Sequence, residues 1–500
     1  MNRPLQPRVP ASSRPKTALA VVLGLHVLRL LAAPFFELAP QEAYYSLYAQ
    51  RPALGYFDHP PAVAWMLWPF LKVLGRTELA PRLAAWLATL ATGLVFLALA
   101  RRTLPRARRG WALLVAGTTL TASVVGLIAT PDVPLLLFWT LALLFLHRAA
   151  FGERRPDWLV AGLFMGLAFD SKYTAVFLQL GLLLFLLASP KHRRLLKTPW
   201  PYLSVLVAHL AMAPVYWWNA THRFASFLFQ SSGRASNVGA VGLINAGKLL
   251  GTQTALLLPP LLLAIGWALV AAVRRSLRPR RKGTRSSAQV TFLLAFSLPA
   301  IALFCGLSFV SLVKPNWLMP AYVAAVLLAV RLVPRPAVWR WQLGFALPLF
   351  ALAAVEVLGY VAPIRSDDTW FGWKELARQV EQRAKDSGAA FVFADDEYKT
   401  TAELRFYSDL PAYAGNVVGR RALQFDYLGE DLKALAGQDA LFLDSRPRED
   451  DDRRPEGAPP ADLAQRFAQV EPDAPIAVRH RGQIVRKFLV FRCRGYRPPP

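Results

Sequence analysis

AWLATLATGLVFLALARRTLPRARRGWALLVAGTTLTASVVGLIATPDVPLLLFWTLALLFLHRAA, residues 85–150, holds three apolar runs. The first two are separated by five arginines at 101–109, the second and third by the short break Thr130-Pro131-Asp132-Val133-Pro134. Runs of this length and spacing, joined alternately by a cationic loop and a tight polar turn, read as helices that cross a bilayer and return. Working outward, similar runs recur at about 17–36, 80–100, 111–130, 133–147, 157–169, 174–188, 200–218, 249–273, 289–307, 317–333 and 341–361. That makes eleven crossings, within a range of 11–13 transmembrane helices. The whole chain, 500 residues at 54% apolar and 18% charged, is too oily for one or two ordinary soluble domains. The first run follows Arg3, Arg8, Arg14 and Lys16 but contains Arg29 and has no small-x-small cleavage pattern. It reads as a retained first helix rather than a cleaved signal.

The formal charge of +26 would suggest a nucleic-acid partner until its location is traced. Residues 1–364 carry 36 Lys and Arg against 9 Asp and Glu, while residues 365–500 carry 22 against 23. Alternating the loops puts 26 cations on the side of the N-terminus, 101–109, 148–156, 191–197, 274–285 and 331–340, and 9 on the other. Cations are retained on the cytoplasmic side during insertion, so the first set is cytoplasmic and the basic pI is a topology signal. Nucleic acid is excluded as a partner everywhere except for the 274–285 loop, where a basic patch is the weaker reading. Cys305 and Cys493 are too few for a disulfide framework or a cysteine zinc site.

Past Pro363 the composition turns soluble. Apolar stretches at Ala389–Ala394, Ala440–Leu443 and Ile484–Phe491 alternate with amphipathic helical patterns at about 369–386, 400–408 and 461–470. These predict a small α/β domain, with the acidic, proline-rich stretch 446–460 as a loop. The expected fold is therefore a mainly α-helical polytopic membrane domain over 1–364 and a C-terminal soluble α/β domain over 365–500. An odd number of crossings places that second domain outside the cytoplasm.

Most carboxylates of the membrane part lie beside apolar runs on the outer side, where an ionisable group faces a cavity or a partner. Glu42 opens an aromatic helix in the first outer loop, and Tyr56-Phe57-Asp58-His59-Pro60-Pro61 ends in a rigid X-Pro-Pro unit that orients Asp58 and His59. An interfacial aromatic belt is the plainer reading of that loop. Asp132 stands at a helix start, where a simple N-cap is the alternative. Outer cations are few: Lys172 beside Tyr173, Arg223, and Lys314 two residues before Asn316. Singly, each reads as a snorkelling side chain, and Asp170 with Lys172 as a local ion pair. Their common side points instead to a carboxylate that takes a proton and cations that hold a phosphate. Sugar transfer from a lipid phosphate needs that combination.

The ordered segments EAYYSLYAQRPALGYFDHPPAVAW, TPDVPLLLFW, SKYTAVFL, PVYWWNATHRFASFLFQ and KPNWLMPAY resemble the bacterial membrane glycosyltransferases of family 39. These are relatives of protein O-mannosyltransferases and of the aminoarabinose transferases that modify lipid A. The resemblance covers about residues 15–360, and ADDEYKTTAELRFYSDLP resembles the soluble domain that follows in many relatives. It implies a GT-C fold, a polyprenyl-phosphate sugar donor and an outer cavity whose base is an acid of the first outer loop. The acidic pair of the family falls on Gln41-Glu42, a departure, because Gln41 cannot take a proton. Glu42 inherits the role by adjacency, and Asp58 competes for it. By the same resemblance Asp132 is a second cavity carboxylate, Lys172 faces the donor phosphate, and His59, Tyr173, Arg223, Lys314 and Asn316 bind substrate. The acceptor is expected among lipid A or lipopolysaccharide, another envelope glycan, or protein.

Two other classes fit the polytopic pattern. A lipid or sugar transporter or flippase would show paired halves, and no repeat is visible. An inactive relative serving as a binding subunit is motivated by Gln41. Carboxylates are hard ligands suited to Mg²⁺ or Mn²⁺, while no His-rich or Cys-rich metal pattern is present.

Overall fold

The computed structural model describes residues 15–235, 242–277, 285–446 and 458–498. Much of the 446–460 stretch and of the 274–285 loop lies outside the described residues. In chain order the helices are α1 Pro15–Ala32, α2 Pro40–Gln50, α3 Ala62–Leu74, α4 Leu79–Thr103, α5 Arg106–Gly117, α6 Leu120–Leu127 and α7 Asp132–Gly152. They continue with α8 Pro156–Phe169, α9 Val176–Ala188, α10 Trp200–Ala211, α11 Ala213–Thr221, α12 Ala225–Ala235, α13 Gly242–Leu257 and α14 Pro259–Leu277. Then follow α15 Arg285–Ala295, α16 Leu298–Leu307, α17 Met319–Leu332 and α18 Pro336–Gly359, and in the C-terminal part α19 Trp373–Ser387, α20 Lys399–Tyr407 and α21 Leu463–Arg466.

Seven of the described helical stretches are long and apolar enough to cross a membrane, eight if the α5–α6 pair, bent by 60°, counts as one span. The sequence reading of 11–13 exceeds this by length alone. Its runs at 157–169, 174–188 and 200–218 are helices, but α8 has 14 residues and α10 only 12, about 18–21 Å at 1.5 Å per residue against a core of about 30 Å. The run at 249–273 is also interrupted. Leu258 adopts a left-handed φ of 68° before Pro259-Pro260, which ends α13 and starts α14.

The chain divides into two compact units. The first comprises residues 1–31, 85–127 and 131–353. Its core centres on α17, where 72% of the span is buried, while α18 is 11% buried and turns its apolar side chains outward. An exposed apolar helix surface of this kind is what lipid covers. Small residues let α8 and α10 approach closely: a Cβ on Gly162 would collide with the Ser204 carbonyl oxygen, and one on Gly166 with the Ala208 carbonyl oxygen and the Ala211 methyl.

The second unit comprises residues 32–84, 128–130 and 354–500. Its five-stranded sheet has β1 Phe391–Ala394, β2 Ala412–Tyr413, β3 Ala440–Ser445, β4 Phe467–His480 and β5 Gln483–Tyr496 in the order β2-β1-β3-β5-β4. The first three strands are parallel and the last two pairings antiparallel. Most of the expected helix at 461–470 is corrected: α21 lasts four residues and the chain turns extended at Phe467. The cause is the β4–β5 hairpin, closed by Arg481 and Gly482, both at positive φ as a two-residue primed turn requires. Pro472 and Pro475 are tolerated because β4 is an edge strand with a register shift at that point. Within this unit α2 of the first outer loop packs on α20, and the Tyr407 phenol accepts the Leu38 N–H at 2.8 Å.

Candidate active site

Pro40 fixes the first turn of α2 and so sets Glu42 at its third position. Glu42 is fully buried and both oxygens are engaged. Oε2 accepts from the Ala39 N–H at 3.1 Å and from Arg82 at 3.3 Å, and Oε1 accepts from the Ala129 N–H at 3.2 Å. Arg82, equally buried, also donates to the carbonyls of Ala33, Phe36 and Glu37 and lies over the Phe36 ring. The pair fastens the approach to α2. Gln41, by contrast, is exposed and hydrogen bonds to the Tyr398 phenol.

Asp58 lies in the same loop, between α2 and α3. Its Oδ1 accepts phenol protons from Tyr44 at 3.1 Å and from Tyr48. Burial, and next the Asp58 charge, push both phenols well above their ordinary range, so they remain O–H donors at neutral pH. Tyr44 in turn accepts the Gln424 N–H at 3.1 Å, while Gln424 Oε1 takes the Phe57 N–H at 2.8 Å. Gln424 thus braces the Phe57-Asp58 backbone from the C-terminal part of this unit. Sequence reading did not find it, since a glutamine 366 positions downstream carries no local signal. His59 packs edge-on against Tyr45 at 5.6 Å between centroids.

A second polar cluster belongs to the membrane unit. Asp132 begins α7 directly after Pro131; its Oδ1 accepts from Lys172 Nζ at 2.8 Å and its Oδ2 from the Asn316 amide at 2.6 Å. Three segments far apart in the chain therefore meet on one carboxylate, and Lys172 is only 8% exposed. Lys172 pairs with Asp132 instead of forming the local pair with Asp170 that the sequence allowed. Asp170 is fully buried, with no hydrogen-bond partner at either oxygen among the described residues. Tyr173 bonds to Ser226 Oγ at 2.7 Å. The turn carrying Asn316 is pinned by Gln253, which donates to the Pro315 carbonyl at 3.0 Å and accepts from Tyr322 at 2.7 Å. Lys314 is exposed before that turn. Arg223 is exposed at φ 52°, with no hydrogen bond to the cluster among the described residues. No group of three or more His, Cys, Asp or Glu is placed to hold a metal ion among the described residues.

Residues 58–218, which include both Asp58 and the Asp132–Lys172 pair, match the family described as dolichyl-phosphate-mannose-protein mannosyltransferase. The lipid A galacturonosyltransferase RgtD of Rhizobium johnstonii is 28% identical over 80% of this chain and 86% of its own. The chain resembles the GT-C membrane glycosyltransferases. ArnT of Cupriavidus metallidurans shares the fold at a TM-score of 0.62 and 17% identity, covering 95% of this chain and 98% of ArnT. Its undecaprenyl phosphate complex aligns at 0.59 and 18%, covering 97% and 98%. The likeness of fold thus extends over the C-terminal sheet as well as the helices.

Proposed function

We propose that this membrane glycosyltransferase moves a sugar from a polyprenyl-phosphate donor to an acceptor of the cell envelope, on the outer side of the bacterial inner membrane. The observation that carries the reading is the convergence of Lys172 and Asn316 on Asp132. A buried ammonium held in place by a carboxylate, which an amide anchors in turn, is suited to stabilise the departing lipid phosphate as the bond from C1 to the phosphate oxygen breaks. The acceptor hydroxyl forms the new bond to C1, and its proton passes to a carboxylate of the first outer loop.

Within that loop the surroundings favour Asp58 over Glu42. Glu42 is sealed by two backbone N–H groups and Arg82, whereas Asp58 receives phenols that can release it and re-form. The cation asymmetry supports placing this loop and residues 365–500 outside the cytoplasm. Lipid A or a related envelope glycan is the acceptor class closest to the named relative.

Purified protein supplied with radiolabelled polyprenyl-phosphate sugars should transfer label to an envelope acceptor. Absence of transfer with every such donor would end the proposal. Alkaline phosphatase fused after Pro363 should be active in cells, and activity of a cytoplasm-only reporter there would overturn the orientation.

A further inference from the structure

Arg29 lies three residues before the end of α1 and is 7% exposed. With Val22 and His26 it forms one stripe of that helix, spaced i, i+4 and i+7. The stripe is one wall of a cavity of about 130 Å³. Thr89, Gly93 and Phe96 of α4, again one helix face, line the same cavity. Arg29 Nη2 donates to the Gly117 carbonyl at 3.1 Å and to Ser123 Oγ at 2.9 Å, at the α5–α6 bend. Among the described residues Nη1 has no hydrogen-bond partner, and neither do His26 Nδ1 and Thr121 Oγ1 on the same cavity.

Among the described residues no Asp or Glu lines this space. A buried cation in a membrane-spanning helix without a counter-charge is costly, and such a group pairs with an anion. Two features select which anion. Arg29 lies inside the apolar span Lys16–Phe35, six residues or about 9 Å along the helix from its end, so its anion must reach into an apolar layer. The remaining wall is largely apolar, and a Cβ placed on Gly93 would meet nothing within 4 Å, leaving a slot beside the charge. The occupant therefore carries an apolar chain as well as a negative group.

We propose that the cavity holds an anionic glycerophospholipid. Its phosphate pairs with Arg29 Nη1, His26 and Thr121 supply further polar contacts, and an acyl chain runs past Gly93. This site is independent of the roles assigned to Lys172 and Asp58, and its occupancy can be read without any transfer assay.

The test uses the full-length protein in phosphatidylcholine nanodiscs with and without phosphatidylglycerol, and counts retained lipids by native mass spectrometry. Wild type should retain phosphatidylglycerol in preference to phosphatidylcholine. Arg29→Gln should lower that preference about tenfold or more, the effect of losing one charge-assisted contact. Arg29→Lys should keep part of it. Gly93→Leu, which fills the slot and leaves the charge in place, should reduce retention of phosphatidylglycerol and so keeps the proposal testable if Arg29→Gln does not fold. Equal retention by wild type, Arg29→Gln and Gly93→Leu would overturn the site. Displacement of the bound lipid by inorganic phosphate would overturn the lipid as occupant, and displacement by stoichiometric polyprenyl phosphate would make the cavity part of the donor path instead.

Discussion

Lys172 and Asp132 stand 40 residues apart in the chain, and the ammonium donates to the carboxylate at 2.8 Å while both side chains are at least nine-tenths buried. Two buried charges so arranged compensate each other's desolvation, and each fixes the other's rotamer. An anion arriving at Lys172 would meet a cation that is already oriented, which is the form of electrostatic preorganisation that lowers a barrier.

If Lys172 holds the donor phosphate, Lys172→Ala should lower transfer efficiency about tenfold to a hundredfold, the loss of one charge-assisted contact. The effect should appear in donor affinity as well as turnover. Unchanged donor binding and turnover in folded Lys172→Ala would remove Lys172 from the site.

Glu42→Gln and Asp58→Asn should separate a structural carboxylate from a chemical one. Glu42→Gln leaves Arg82 buried without its counter-charge, so it should cost about 3–5 kcal/mol of stability. Asp58→Asn retains an acceptor for Tyr44 and Tyr48, so the fold should persist while transfer falls about 10² to 10⁴-fold. Thermal unfolding in detergent and turnover per folded molecule, measured side by side, read both effects. A stable Glu42→Gln enzyme with collapsed turnover, beside an active Asp58→Asn enzyme, would move the base to Glu42.

Asp396 offers a pH test in the C-terminal part. Burial pushes its carboxyl up to about 6, against the opposing hydrogen bonds from Thr400, and the nearby Asp367 charge adds to the rise. The folded state therefore keeps a proton that the unfolded chain has released above about pH 4. The associated stability is complete below about pH 4 and is lost as pH rises through about 6, a change of about 1–3 kcal/mol. Asp396→Asn, which cannot ionise, should gain on wild type in melting temperature between pH 5 and pH 7.5. A difference constant across that range would mean that Asp396 titrates alike in both states.

Close packing of α8 on α10 should make Gly162→Ala destabilising by about 1–3 kcal/mol, because its new methyl meets the fixed Ser204 carbonyl. Gly24→Ala on α1, where the added methyl meets nothing within 4 Å, should be neutral or stabilising. Comparable losses in thermal stability for both variants would show that helix packing at Gly162 is looser than described.

The strands β1 and β3 were legible because each is a short apolar run bounded by polar residues, and β5 through its largely apolar part Ile484–Phe491. β4 was not, since Phe467–His480 contains two prolines and scattered charges and becomes a strand only through its pairing with β5. The candidate residues of the two clusters were legible one by one, as polar side chains beside apolar helices. Arg82, Gln424 and Gln253 were not singled out: each acts by reaching the backbone or a side chain of a segment distant in sequence.

By itself the sequence determined that the chain is a helical membrane protein with an α/β tail, because apolar run length and residue periodicity are local quantities that the solvent reads directly. It also located the polar residues that could act, through their cost in an apolar setting. Only the tertiary structure decided that Lys172 pairs with Asp132 rather than Asp170, and that Glu42 is sealed while Gln41 beside it is exposed. It also decided that Arg29 faces a cavity without a carboxylate. Burial and charge pairing depend on which distant segments meet, and spacing along one chain does not encode that meeting.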